Sequence, residues 1–230
     1  MTTKPGFEEI PLDLSKVPTV AKGLDDAATR YQGFTRLASS SLGTSADKVL
    51  LMSHLPLMSF INRAVSLHAG IVAAVEAANP HAAFTLLRAY LELVALTYYV
   101  NDHPDYLAAL ERPVAELPKH TRETFAELFD YAAPEMPGIR KVYEILSEMA
   151  HFGSTALWHP FTFTDTEAEG SPGRLSISTA PHWRNSDTDP RTALAMLQEA
   201  DEATHYILGE FARLHILPHV AAITGDKPLP

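Results

Sequence analysis

The sequence predicts an all-α protein, a helical bundle of about six helices with a small β-hairpin inserted before the last helix. Three observations lead to this prediction. Apolar residues recur at three- and four-residue steps along most of the chain, which is the spacing of one helix face. The segment Ala82 to Val100 is apolar all round, as in a helix at the centre of a bundle. Two short alternating runs between about residues 160 and 180 have the pattern of paired strands.

The N-terminal region is predicted to be an arm followed by a long helix. Residues 1–18 are polar and contain three prolines, so we expect them to be extended. The first helix is expected from about Thr19 to Leu42, with Gly43 at its end. Its apolar stripe consists of Val20, Leu24, Ala27, Tyr31, Phe34 and Leu37.

The second helical pattern runs from near Ser45 to about Ala78 and contains Pro56. Proline removes a backbone donor and clashes with the preceding turn, so a kink or break is expected near His54 and Leu55.

The central helix has a clear start and an unusual composition. Asn79 is expected to cap it, and Pro80 suits its first position. Between Ala82 and Val100 only Arg88 and Glu92 are charged. Each charge at a bilayer centre costs about 2.5 to 3.5 kcal/mol on insertion scales, so a buried core helix is favoured over a membrane span.

The rest of the chain is predicted to add shorter elements and one long helix. After Asn101 we expect a short helix and a proline-containing connection, then a weaker helix over about 121–132 and another over about 138–157. The hairpin is expected from the alternating runs 161–164 and 174–178.

The last helix is expected from near Asp189 and Pro190 to about Ile216, before Pro218. Residues 19–218 are therefore predicted to form one domain, and residues 219–230 a loose tail.

The amino-acid composition argues against several classes of function. The chain has 230 residues, and 28 acidic residues against 18 Lys plus Arg give a net charge of −10, so nucleic-acid binding is not expected. The absence of cysteine excludes disulfides and thiolate metal sites. The start has no apolar signal-peptide core, and we expect a cytoplasmic protein with no membrane association.

Two polar stripes mark a candidate site. Arg88 and Glu92 are four residues apart and share one face of the central helix. Tyr143, Ser147 and His151 repeat the same step on a later helix. If the stripes face each other, Arg88 supplies donors, Glu92 an acceptor and His151 a group that titrates near neutral pH. We therefore predict a polar ligand-binding pocket formed by these five residues.

The stripes allow more than one interpretation. In a structural interpretation Arg88 and Glu92 form an ordinary ion pair, and Ser147 and His151 hydrogen-bond within the core. In a functional one the protein is a binding or interaction module, self-associating, with a small molecule or a protein as its partner and with no cofactor. An alternative is an enzyme in which His151 is the general acid or base and Arg88 holds an anionic substrate.

The two stripes also carry a resemblance. The patterns L-L-R-x-x-x-E and Y-x-x-L-S-x-x-x-H, over about residues 60–158, resemble a broad group of uncharacterised bacterial all-helical proteins of unknown function. The residues that carry it are Arg88, Glu92, Tyr143, Leu146, Ser147 and His151. The resemblance implies a helical bundle with an inward Arg/Glu/His cluster and brings no activity.

That group is at most distantly similar to HEPN-type helical domains, whose ribonuclease members place an arginine and a histidine four to six residues apart on one helix. Arg63 and His68 have this spacing. A HEPN-like ribonuclease is therefore a further alternative.

A two-metal carboxylate protein is the last alternative. Glu-x-x-His occurs twice, at Glu148/His151 and at Glu202/His205, and such a site needs a glutamate from each of two further helices, for which Glu76 and Glu92 are the candidates. Periodicity places Glu148 and Glu202 on outward faces, so no metal is expected.

Overall fold

The computed structural model describes residues 12–43, 51–110, 123–150, 161–164, 174–178 and 180–224. The helices in these residues are α1 Val20–Gly43, α2 His54–Glu76, α3 Pro80–Asp102, α4 Leu107–Leu110, α5 Phe125–Ala132, α6 Ile139–Ala150, α7 Thr188–His215 and α8 Leu217–Thr224. Short 3-10 turns cover Leu14–Lys16 and Pro104–Tyr106. The all-α prediction is confirmed.

The central position predicted for the segment Ala82 to Val100 is confirmed by α3, which packs against α2, α5, α6 and α7. Its buried residues lie on several faces, and Leu87, Tyr90 and Ala95 are fully buried. By length and composition alone, α2 and α3 could each cross a membrane. However, 44% and 50% of their most apolar windows are buried in the bundle, as in core helices.

The turn between α2 and α3 follows from local sequence. The Asn79 side chain accepts a hydrogen bond from the Ala82 amide at 3.1 Å, and Pro80 takes the first helical position, as predicted. The Asn79 amide donates back to the Ala74 carbonyl at 2.8 Å, and Ala78 has a φ of 50°. This is the arrangement of a Schellman C-cap with alanine in the left-handed position that glycine usually occupies.

Several helix boundaries differ from those expected. α2 begins at His54, so the break predicted there is confirmed and Pro56 lies in the first turn, where a missing N–H costs little. The predicted start at Ser45 lies outside the described residues. α5 begins at Phe125 because the Thr124 and Glu127 side chains cap each other's backbone amides in a capping box. α6 is described to Ala150, and the remainder of its predicted extent is not among the described residues.

Two strands lie between α6 and α7. β1, Phe161–Thr164, pairs antiparallel with β2, Arg174–Ile177, and Phe161 is opposite Ile177. The residues that join them lie outside the described part of the chain.

The extended arm predicted for residues 1–18 is wrong for residues 12–17. Asp13 caps the 3-10 turn, and Val17 is only 1% exposed. The Arg191 guanidinium of α7 donates from Nε to the Val17 carbonyl at 2.7 Å and from Nη2 to the Leu14 carbonyl at 3.1 Å. These bonds hold the segment Leu12–Val17, called here the N-terminal segment, against the bundle.

The loose tail predicted for residues 219–230 is wrong as far as Thr224. Pro218 does not end the fold, because it falls in the first turn of α8, where proline is tolerated. Val220 is 5% exposed and joins the core. The predicted domain limits of 19 and 218 are therefore too narrow at both ends.

The contact between α1 and α7 depends on Gly23. A Cβ atom at this position would lie 2.7 Å from Val17 Cγ1 and 2.9 Å from Leu194 Cδ1. Both distances are shorter than a van der Waals contact, so the helices and the N-terminal segment meet closely only because residue 23 has no side chain.

We expect Gly23→Ala to lower the free energy of unfolding by about 1 to 3 kcal/mol, because overpacking outweighs the gain in helix propensity. The control is Gly209→Ala in α7, where a Cβ would meet nothing within 4 Å. That change should stabilise the protein by about 0.4 to 1 kcal/mol. Urea unfolding measures both, and an equal stabilisation by the two variants would contradict the close approach at Gly23.

Candidate functional site

The structure brings three of the five predicted site residues together. Arg88 Nη2 of α3 donates to the Tyr143 hydroxyl of α6 at 3.1 Å, and that hydroxyl donates to Glu92 Oε1 at 3.2 Å. Arg88 Nε lies 3.2 Å from the same Glu92 oxygen. The Arg88 Cζ atom also lies 5.2 Å from the centre of the Tyr143 ring, within cation–π range. The sequence expectation that the two stripes face each other holds for these three residues.

This Arg88–Glu92–Tyr143 cluster is partly buried. The Arg88 and Glu92 side chains are 20% and 19% exposed. Ser147, one turn beyond Tyr143, has a buried hydroxyl oxygen with no hydrogen-bond partner among the described residues. His151 lies outside the described residues, so its predicted catalytic role stays a prediction. Because Glu92 and Tyr143 already engage the guanidinium, an anionic substrate would have to compete with a carboxylate for Arg88.

A second polar cluster, which the sequence analysis missed, is more deeply buried. The Asp201 carboxylate of α7 is 2% exposed and accepts hydrogen bonds from three other helices. Arg30 Nε of α1 donates to Oδ2 at 2.9 Å, and the Tyr90 hydroxyl of α3 donates to Oδ1 at 2.9 Å. The Nδ1 atom of His68 in α2 lies 3.0 Å from both carboxylate oxygens. We call these four residues the Asp201 cluster.

Burial gives the Asp201 cluster a distinct electrostatic character. Tyr90 is fully buried, and both its desolvation and the adjacent Asp201 charge raise the pKa of its phenol far above the ordinary value. His68 is 2% exposed, so its ring is enclosed by protein. The cluster thus provides hydrogen-bond donors for a buried carboxylate, and it leaves little exposed surface for a substrate.

A sequence signal for the Asp201 cluster did exist. Asp201 lies on the apolar stripe of α7, four residues after Leu197 and three before Thr204, and all three are buried. His68 likewise interrupts the apolar stripe of α2. A titratable residue on a core face indicates a buried partner, although it does not name that partner.

The structure separates the histidine and arginine of the HEPN-like alternative. Arg63 is exposed and His68 is buried against Asp201. Five residues along a helix correspond to about 140° of rotation, so the two side chains leave α2 on different faces. The described geometry therefore does not form a shared Arg63–His68 site.

The two-metal alternative has no support in the described part of the chain. There, no group of three or more histidine, aspartate or glutamate side chains is arranged to hold a metal ion. Glu76, Glu148, Glu202 and His205 are exposed, as helix periodicity predicts for two of them.

A cavity of about 480 Å³ lies between α3, α6, α7 and the N-terminal segment. Leu91 and Val94 of α3 form one wall, Ile139 and Val142 of α6 a second, and Met196 and Ala203 of α7 a third. Leu12 completes the lining from the N-terminal segment. Gly138, with a φ of 89°, lies at the turn that leads into α6 and also lines the cavity.

Four charged residues join this apolar lining: Asp13, Lys16, Glu135 and Glu199. Lys16 Nζ is paired with Glu199 Oε1 at 2.8 Å, and this hydrogen bond raises the pKa of Lys16. The Ser15 hydroxyl and amide both donate to Asp13 Oδ1, at 2.6 and 3.0 Å, and lower the pKa of that carboxyl. The ionised forms of both groups are favoured at neutral pH.

The fold and these features define an all-helical protein with a buried carboxylate at its core and an apolar cavity beside it. No family model matches the sequence, and comparisons with the curated proteins and with the solved structures found no match.

Asp201→Asn should lower the free energy of unfolding by about 3 to 5 kcal/mol, because it removes the charge that compensates Arg30 and replaces one of the two acceptor oxygens with an amide NH2 group, which cannot accept from these donors. The matched control is Glu202→Gln at the next, exposed position, which should change stability by less than about 0.5 kcal/mol. Urea unfolding measures both. Equal effects would show that the Asp201 contacts contribute little.

Tyr90 also makes the stability depend on alkaline pH. Since its folded pKa is raised, unfolded chains lose the phenolic proton first, and stability falls as the pH rises above about 10. Tyr90→Phe should lower the free energy of unfolding at pH 7 by about 1.5 to 3 kcal/mol, because the hydrogen bond to a charged acceptor is lost. Between about pH 9 and 11, however, this variant should lose less stability than the wild type. Tyr206→Phe, at a 70% exposed position, is the control and should keep the wild-type alkaline slope. A wild-type slope in Tyr90→Phe would contradict the assignment.

Proposed function

We propose that this protein is a helical binding module that takes a small, largely apolar molecule into the cavity between α3, α6, α7 and the N-terminal segment. The cavity is the observation that supports this proposal. Its volume of about 480 Å³ falls within the range of about 300 to 1,000 Å³ found for small-molecule sites. Its lining is mostly aliphatic with a few charged groups, which is also the usual composition of such sites.

In this proposal the Arg88–Glu92–Tyr143 cluster positions a wall of the site. Leu91 and Val142 line the cavity and are the sequence neighbours of Glu92 and Tyr143. The contacts of Tyr143 with Arg88 and Glu92 join α6 to α3 immediately beside these two residues. The polar residues predicted to bind a ligand would then act on it indirectly, by holding α6 against α3.

The N-terminal segment, which was predicted to be part of an extended arm, contributes one wall of the cavity. Arg191 holds the carbonyls of Leu14 and Val17, and the Lys16–Glu199 pair adds a second connection to α7. Both side chains of this pair are exposed to solvent, which weakens their attraction, so the Arg191 bonds and the burial of Val17 provide most of the attachment.

The proposal is tested with N-phenyl-1-naphthylamine, an uncharged fluorophore whose emission rises in apolar surroundings. We expect saturable binding with one site per chain. Ala203→Phe should weaken that binding at least about tenfold, because the added ring occupies the cavity and removes about 1.4 kcal/mol or more of binding free energy.

The control is Ala73→Phe, which places the same ring on the exposed face of α2 and should bind the probe as the wild type does. Urea unfolding of both variants separates a blocked cavity from a damaged fold. If the wild type does not bind the probe, or if Ala203→Phe binds it unchanged while folded, the cavity is not a ligand site.

A further inference from the structure

We propose that the ligand of this cavity is a cation, with an apolar body and one positively charged amine or quaternary ammonium group. This inference rests on the proposed function and adds the chemical class of the ligand. It follows from the charged groups that accompany the aliphatic lining.

The charge balance of the cavity is negative. The described residues of its lining include three carboxylates, Asp13, Glu135 and Glu199, and one ammonium, Lys16, which gives a net charge of −2 when all four are ionised (1 − 3). A negatively charged concave site raises the local concentration of cations and disfavours anions. The net charge of −10 on the whole chain acts in the same direction.

Among the described residues that line the cavity, Lys16 carries the one ammonium group, and it is already paired with a carboxylate. Lys16 Nζ lies 2.8 Å from Glu199 Oε1, and the charges of Glu202 and Asp13 act on it as well. A carboxylate or phosphate on a ligand would therefore share the Lys16 ammonium with Glu199 and would meet other carboxylates beside it. The repulsion from these carboxylates offsets much of the attraction to Lys16, so an anionic ligand gains little.

Two of the carboxylates are open to a ligand cation. Both hydrogen bonds from Ser15 end on Asp13 Oδ1, and none of the described residues donates to Oδ2. Within the described part of the chain, Glu135 forms no ion pair. Leu91, Val94 and Met196 supply apolar surface in the same cavity, so an apolar body with a cationic end matches both kinds of lining.

The experiment uses three probes that share one apolar body and differ in charge at neutral pH: 4-phenylbutylamine, 4-phenylbutanol and 4-phenylbutyrate. Each is measured by its displacement of N-phenyl-1-naphthylamine from the full-length chain. We expect the amine to bind at least about tenfold more tightly than the carboxylate, with the alcohol between them, and the difference to shrink between 50 and 500 mM salt.

A charge variant tests the assigned residues. Asp13→Asn combined with Glu135→Gln removes two negative charges, and asparagine at position 13 retains the capping group of the 3-10 turn. In this variant the preference for the amine should fall to about threefold or less. The control, Asp25→Asn combined with Glu76→Gln, makes the same change in net charge at exposed positions that do not line the cavity, and it should keep the wild-type preference.

The outcomes separate this inference from the proposed function. Equal affinity for the three probes, or tightest binding of the carboxylate, overturns the cationic ligand and leaves a binding cavity for uncharged molecules. An equal loss of preference in the control variant also overturns it, because the effect would then come from overall charge. Failure of N-phenyl-1-naphthylamine itself to bind would instead remove the proposed function on which the inference rests.

Discussion

The Asp201 carboxylate is the interaction on which the arrangement of the bundle depends. It lies on α7 and is bound by Arg30, His68 and Tyr90 from α1, α2 and α3, so one buried charge relates four helices. Leaving such a charge uncompensated would cost several kcal/mol, and therefore alternative packings that separate any of the three donors from it are disfavoured. Ala200, the residue before Asp201, lines the cavity. The same short stretch of α7 thus faces the polar core on one side and the cavity on the other.

The sequence predicts this fold well where the determinants are local. The Asn79 cap, the proline that follows it and the apolar composition of α3 all act within one or two helical turns, and all are confirmed. The errors occur where a distant side chain decides. The N-terminal segment is packed because Arg191, which lies 174 residues after Val17, donates hydrogen bonds to the Val17 and Leu14 carbonyls. No local pattern in residues 12–17 indicates that partner.

The same distinction applies to the candidate site. The pairing of Arg88 with Glu92 is a consequence of four-residue spacing and was predictable, and the contact with Tyr143 required only that two stripes face each other. The cavity was not predictable in this way. It is formed by side chains from three helices and the N-terminal segment, and its volume depends on how closely those elements approach. The Asp201 cluster lies between these cases, since polar residues on apolar stripes indicated that partners exist but not which ones.

The tight turn at Ala78 has a consequence for the alignment of the core. His68 precedes it by 10 residues and Tyr90 follows it by 12, which at 1.5 Å per residue places them about 15 and 18 Å from the turn along two antiparallel helices. The two side chains therefore lie at nearly the same level along the bundle axis, where both contact Asp201. The length of the turn therefore sets the alignment of α2 with α3. One residue inserted within α3 between Pro80 and Tyr90 would rotate Tyr90 by about 100° about the helix axis relative to the turn and carry it away from the carboxylate, whatever the chemistry of the added side chain.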